Sequence, residues 1–266
     1  MHCDMGWQPA CHMNKYDSLV VFGCSLTKDN YMDTWADNVS AALGLPLINN
    51  AERGAGYEFV SDRVLNVLDD IKDSLCVIMW PSADRWDLWV NDATPQLQRD
   101  IEYASWLNGG NPDFCDLNGD YSKDHGYYMS GAVPRGLKHI YYKYFYTKEY
   151  HVNNALKTIV MVQNLLLNNG VDFVMCNTHP LTSLVQYHDD DVVIIDNTFS
   201  DHINLSYFVP NATEQGFIAF CKEHNVELYN THYPMSDAHL LYTNTILLPK
   251  ILELYAIDLN GCQLAK

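Results

Sequence analysis

Leu19-Val20-Val21-Phe22-Gly23-Cys24-Ser25-Leu26-Thr27 is the stretch on which the fold turns. An apolar run with no alternation is the pattern of a strand covered on both faces, the central strand of a parallel sheet. It stops at Gly23, and two residues later a serine precedes Thr27-Lys28-Asp29, where a helix can begin. In an α/β protein the carboxyl end of the first strand is where ligands bind and where a hydroxyl can be held toward a substrate. Ser25 is therefore the candidate nucleophile, beside the plainer reading of a tight strand-to-loop turn with a capping serine.

The segments that follow keep an α/β rhythm. Tyr16 to Phe22 reads as the first strand and Asp33 to Leu43 as a helix, with Trp35, Val39, Ala42 and Leu43 at helical spacing and Gly44 as its stop. Leu45 to Ile48 is a short second strand that runs into Asn49-Asn50-Ala51-Glu52-Arg53-Gly54-Ala55-Gly56, a loop whose glycines permit close backbone approach. Tyr57 to Ile71 is a helix, and Leu75 to Trp80 a third buried strand closed by Pro81. This β-α-β-α-β order predicts right-handed crossovers and a three-layer α/β/α sandwich around a mostly parallel sheet.

Residues 81 to 136 form an excursion too long for bare loop, with a helix expected near Pro95 to Leu107. Nine of the 18 tyrosines lie between 101 and 150, a density that suits packing against a neighbour or lining a sugar groove. Asp116, Asn118, Asp120, Ser122 and Asp124 alternate like the start of a calcium loop. However, Tyr121 takes its glycine position and Tyr127 the place of its closing glutamate, so a solvated turn is the preferred reading. Leu137 to Asn169 reads as helix broken near Thr147, Val171 to Cys176 as the fourth strand, Ala212 to Asn225 as a helix, and Leu240 to Tyr255 as the closing helix. Val192 to Ile195 is a candidate strand and Val226 to Tyr229 a short strand-like piece.

Composition narrows the function classes. With 266 residues, 48% of them hydrophobic, the chain can bury a large core as one domain, residues 16 to 266, preceded by an appendage at 1 to 15. A formal charge of -17 without a compensating basic block argues against nucleic acid and against an anionic membrane surface. No apolar run reaches the roughly 18 residues of a membrane span, and Met1 to Met13 lacks a secretion profile, so a cytoplasmic protein or a virion component is expected. The eight scattered cysteines do not suggest a disulfide framework. His2, Cys3, Cys11 and His12 fit no common zinc spacing, and no metal or other cofactor is expected.

A second chemical element stands late in the chain, Tyr233-Pro234-Met235-Ser236-Asp237-Ala238-His239-Leu240. In a locally extended segment Asp237 and His239, two apart, project to one side, where the carboxylate can orient the imidazole. A capping aspartate and a surface histidine are the alternative. His179, ending the fourth strand in Asn177-Thr178-His179-Pro180, is a reserve base. Cys24, alternating with Ser25, would face away from the same pocket.

Together these blocks resemble the SGNH (GDSL-like) hydrolases, and especially a divergent subgroup from bacteria and their phages that opens with a Phe-Gly-Cys-Ser-Phe-Thr-like block. Here the blocks are Phe22-Gly23-Cys24-Ser25-Leu26-Thr27, Thr34-Trp35, Leu43-Gly44, Asn50-Ala51-Glu52-Arg53-Gly54, Trp80-Pro81-Ser82-Ala83-Asp84-Arg85 and Asp237-Ala238-His239. The resemblance spans about residues 17 to 260, and its first block is the specific one. It implies a flavodoxin-like sandwich and a serine esterase that removes acetyl or other small acyl groups from a carbohydrate or similar alcohol. Ser25 would be the nucleophile, His239 the base and Asp237 its orienting acid. Ser25 and Gly54 N–H groups would serve the oxyanion hole, and Trp80, Arg85 and His179 would be candidate substrate contacts.

The chain departs from the family in three places. Ser82 stands where the family has an oxyanion asparagine, and losing such a donor costs about a hundred- to a thousandfold in rate. Ser82 or Arg85 would have to substitute. One residue rather than two separates the last Asp and His, and Leu240-Leu241 replaces a Pro-Ser continuation. The competing expectation is a catalytically weak or inactive SGNH-like domain, serving as a virion or surface structural protein or as a glycan-binding module; in either case a homo-oligomer or virion assembly is a candidate partner state.

Overall fold

The computed structural model describes residues 15–29, 31–83, 85, 87–90, 114–115, 126–128, 143–180, 199–210, 216–226, 228–229, 233–234 and 236–255. Strand β1 (Ser18–Phe22) and strand β3 (Ser74–Trp80) are buried at every residue, as their unbroken apolar runs require. Between them the chain forms helix α1 (Trp35–Leu43), strand β2 (Leu47–Asn49) and helix α2 (Tyr57–Asn66). Helix α3 (Lys148–Asn168) then leads into strand β7 (Asp172–Asn177).

The four strands lie in the order β2-β1-β3-β7 and every pair is parallel. Leu19 pairs with Leu47 on one side and Leu75 on the other, and Met79 pairs with Cys176. Beyond β7, among the described residues, a parallel bridge joins Met175 to Phe208, so the stretch containing Phe208 continues the sheet.

Helices cover both faces, giving the expected three-layer α/β/α sandwich. Helix α1 packs with the C-terminal helical run, which comprises α5 (Ser236–Tyr242), a π turn (Thr243–Leu247) and α6 (Leu248–Tyr255). Helix α4 (Phe217–Glu223) joins that layer, and α2 with α3 forms the other. Cys24, Cys76, Cys176 and Cys221 are buried and unbridged, acting as small apolar side chains. No helix among the described residues is long and apolar enough to cross a membrane.

Several boundaries move for local reasons. Thr147, where a break was expected, is the N-cap of α3, its side chain accepting from the Tyr150 N–H at 3.2 Å. The final helical run begins at Ser236, not Leu240, and α4 is shorter than the apolar pattern suggested. From the excursion three short strands are described, β4 (Leu88–Val90), β5 (Phe114–Cys115) and β6 (Gly126–Tyr128), forming an antiparallel sheet ordered β4-β6-β5. A further pair, β8 (Leu228–Tyr229) and β9 (Tyr233–Pro234), precedes α5. The readings at residues 1–12, 95–107, 116–124 and 192–195 fall outside the described residues.

Candidate active site

The order β2-β1-β3 makes the chain leave β1 toward one side of the sheet and later cross to the other. In open parallel sheets the crevice at such a reversal, beyond the carboxyl ends of the strands, receives ligands. Ser25 follows the carboxyl end of β1 and so stands at this reversal.

The turn carrying Ser25 is tight. The Cys24 carbonyl accepts from the N–H groups of Thr27 at 2.8 Å and Lys28 at 3.1 Å, which wraps the chain into one helical turn with Ser25 inside it. Gly23 is needed there: a Cβ at that position would lie 2.2 Å from Thr27 Oγ1 and 3.0 Å from the Met79 carbonyl. Ser25 is 7% exposed.

The loop after β2 is fastened to this turn. Asn50 N–H donates to the Val21 carbonyl at 2.8 Å and Glu52 N–H to the Gly23 carbonyl at 3.2 Å, extending the parallel pairing past the end of β2. Asn49 Nδ2 donates to the Thr27 carbonyl at 2.9 Å. Buried Glu52 pairs with Lys28 Nζ at 2.8 Å and accepts from the Arg53 N–H at 3.0 Å. Gly54 has φ +81°, a left-handed turn that suits glycine. Thus Ser25 and Gly54 sit on two loops that share backbone, amide and ion-pair cross-links.

From β3 comes Ser82, 2% exposed, whose carbonyl accepts from the Arg85 N–H at 3.2 Å. Trp80 is fully buried and stacked on Tyr57, ring centroids 5.1 Å apart, which places it in the core. At the end of β7 His179 is half-buried, its Nδ1 3.0 Å from Thr178 Oγ1. Its backbone lies so close to Gly216, the N-cap of α4, that a Cβ there would meet it at 2.5 Å.

His239 reaches the same edge from the opposite end of the chain. It is 2% exposed, and its Nδ1 accepts a hydrogen bond from the Trp35 N–H at 3.1 Å, at the first turn of α1. One helical turn later Thr243 Oγ1 donates to the Trp35 carbonyl at 3.3 Å, and the His239 ring leans on Phe217 with centroids 4.9 Å apart. Because α1 begins shortly after the Ser25 turn, these contacts bring the late histidine to the mouth of the first strand.

The extended Asp237–His239 segment expected from sequence is not what forms. Both residues are on α5, and two positions along a helix turn side chains about 200° apart. His239 faces the core and Asp237 faces solvent. The carboxylates that act electrostatically on the imidazole are Asp29 and Asp37. Burial outweighs them and pushes His239 down to about 4, leaving the ring neutral at neutral pH. A neutral imidazole has one donor and one acceptor nitrogen, so with Nδ1 accepting from Trp35 the proton resides on Nε2. Among the described residues no hydrogen bond joins Ser25 to His239.

Two buried carboxylates of this edge escaped the sequence reading. Glu52 is one. Asp87, 5% exposed, is the other: it accepts from the Gly56 N–H at 2.9 and 3.0 Å and from the Phe59 N–H at 2.9 Å, at the N-terminus of α2. The signal for it was Gly56, a helix start with no side chain to cap it, which calls for an acceptor from elsewhere. Among the described residues no cluster of three or more His, Cys, Asp or Glu is placed to hold a metal ion. No family model matches this chain, and no curated protein matches it either.

Proposed function

We propose that this protein is a serine ester hydrolase of the SGNH type, acting on acetyl or other small acyl groups carried by a carbohydrate or similar alcohol. The observation supporting it is the convergence at the sheet reversal of a turn-borne serine, a neighbouring glycine loop and a histidine from the last helical run. In this reading Ser25 Oγ attacks the acyl carbonyl while His239 takes its proton, and the ring then delivers that proton to the departing alkoxide. Water, activated by the same ring, frees the acid from the acyl-enzyme. The Ser25 and Gly54 N–H groups, with Ser82 in place of the usual asparagine, would meet the developing oxyanion.

A base must present a lone pair, so His239 has to give up its bond from Trp35, or turn its ring, before it can serve Ser25. That requirement favours a second reading, in which the same contact is permanent and the domain works as a structural or glycan-binding module of a virion or surface.

A fluorophosphonate probe and p-nitrophenyl acetate separate the two. The hydrolase reading expects labelling and turnover that vanish in Ser25→Ala and fall steeply in His239→Ala. Turnover unchanged by Ser25→Ala rejects it. An acetate-release screen over acetylated polysaccharides, with Ser25→Ala as control, then identifies the alcohol.

A further inference from the structure

We propose that Asp87 is a positioning residue for the oxyanion-binding loops, holding the Gly54 loop and the Ser82 loop in one fixed relation; this rests on the hydrolase reading above. The two loops follow different strands, β2 and β3, and Asp87 is where they are fastened together. Its carboxylate receives the Gly56 N–H on both oxygens and the Phe59 N–H on Oδ2. Gly56 is two residues past Gly54, with buried Ala55 between them bonded back to the Glu52 carbonyl at 3.2 Å. On the other side the Arg85 N–H donates to the Ser82 carbonyl at 3.2 Å, which ties Ser82 to the residue two before Asp87. A shift of the carboxylate therefore moves Gly54 relative to Ser82.

The contact is built for a carboxylate. A Cβ at Gly56 would stand 2.8 Å from Asp87 Oδ2 and 3.1 Å from the Arg85 carbonyl, so only glycine admits this approach. An asparagine would turn its NH2 toward one of the N–H groups, donor against donor. The charged groups acting on Asp87 are Arg85, which favours its ionised form, and Glu58, which opposes it. Burial prevails and pushes the carboxyl up to about 7, so it exchanges its proton near neutrality. The ionised form is the stronger acceptor for the two N–H groups.

The test compares wild type, Asp87→Asn and Gly56→Ala, the last keeping the charge but displacing it. Ester turnover and the fluorophosphonate labelling rate are followed from about pH 5 to 9, with near-UV circular dichroism to verify folding. Misplacing reacting groups by about 1 Å costs on the order of a hundredfold. Both variants should lose about that much in kcat with KM little changed. Wild type should lose rate as pH falls through about 7, and Asp87→Asn, which lacks the titrating group, should lack that inflection. A folded Asp87→Asn or Gly56→Ala with wild-type kcat overturns the inference, as does a wild-type profile flat through neutrality, which needs no variant to fold. If wild type labels at Ser25 but these outcomes fail, the hydrolase reading survives; if wild type shows no Ser25-dependent labelling, both fall.

Discussion

The N-termini of α1 and α2 both open toward the carboxyl edge of the sheet, and each receives an acceptor from a distant part of the chain. They differ in need. Helix α1 already has its own cap: Thr34 Oγ1 accepts from the Ala36 N–H at 3.3 Å, and Asp37 Oδ2 accepts from the Thr34 N–H at 2.8 Å. His239 adds one more acceptor to a helix that starts without it. Helix α2 begins at Gly56 with no capping side chain, and Asp87 supplies what is missing. The lesson is one of division: a side chain that the helix can do without is free to do chemistry, whereas one that the helix requires is committed to architecture.

The sharpest break of this comparison is His239→Ala. Because proton transfer by a positioned base contributes about a hundred- to ten-thousandfold, Ser25 labelling should fall within that range. The folding cost should be only about 2 kcal/mol, from one orphaned N–H and lost contact with Phe217. Urea denaturation beside labelling kinetics reads both, and a stability loss with unchanged labelling reverses the roles assigned to the two caps.

Asp87→Ala should do the opposite, costing about 3 kcal/mol or more in urea melts because two buried N–H groups lose their acceptor together. A variant as stable as wild type would show that α2 holds its N-terminus without help.

Opposite pKa directions sharpen the contrast further. His239 is held below its unfolded value of roughly 6.5, so its contribution to stability is present above that pH and is lost as pH falls toward about 4. Asp87 is held above its unfolded value of roughly 3.9, so its contribution is present below that pH and is lost as pH rises through about 7. Between about pH 4 and 6.5 the two slopes oppose. Unfolding free energies at a series of pH values should therefore show Asp87→Asn losing more stability on acidification than wild type, and His239→Gln losing less. Parallel curves for all three would refute the assignment of these two groups.

Smallest is Thr34→Ala, expected to cost about 1 kcal/mol, the usual worth of an N-cap. In a His239→Ala background the same change should cost more than this, since the two acceptors back each other at one terminus. A double-mutant cycle measures the difference, and strict additivity would mean that they act independently.

Much of the architecture was readable because the buried strands announce themselves. Val20 and Ile78 are apolar in runs with no polar face, and such runs fit only a parallel strand covered on both sides. Thr34, Gly44 and Thr147 mark helix boundaries through local chemistry, so they too were legible or nearly so. The pairing of Asp237 with His239 was misjudged because their side-by-side geometry depends on the backbone period. Leu240 and Leu241 extend a helical pattern back over them, and helix formation sends Asp237 outward. Glu52 and Asp87 look like surface residues in the sequence, since nothing adjacent tells that a lysine or two helix N–H groups wait at the other end of a fold.

What the order of residues determines alone is the alternation of strand and helix, the turn at Gly23 and the position of Ser25 after the first strand. These follow from period, from φ restrictions and from the space a side chain occupies, all local quantities. Only the tertiary structure decides which carboxylates are buried, that His239 meets Trp35 across 204 positions, and which nitrogen of its ring carries the proton. Those depend on dehydration and on partners brought together by packing, and neither exists until the sheet has closed its layers.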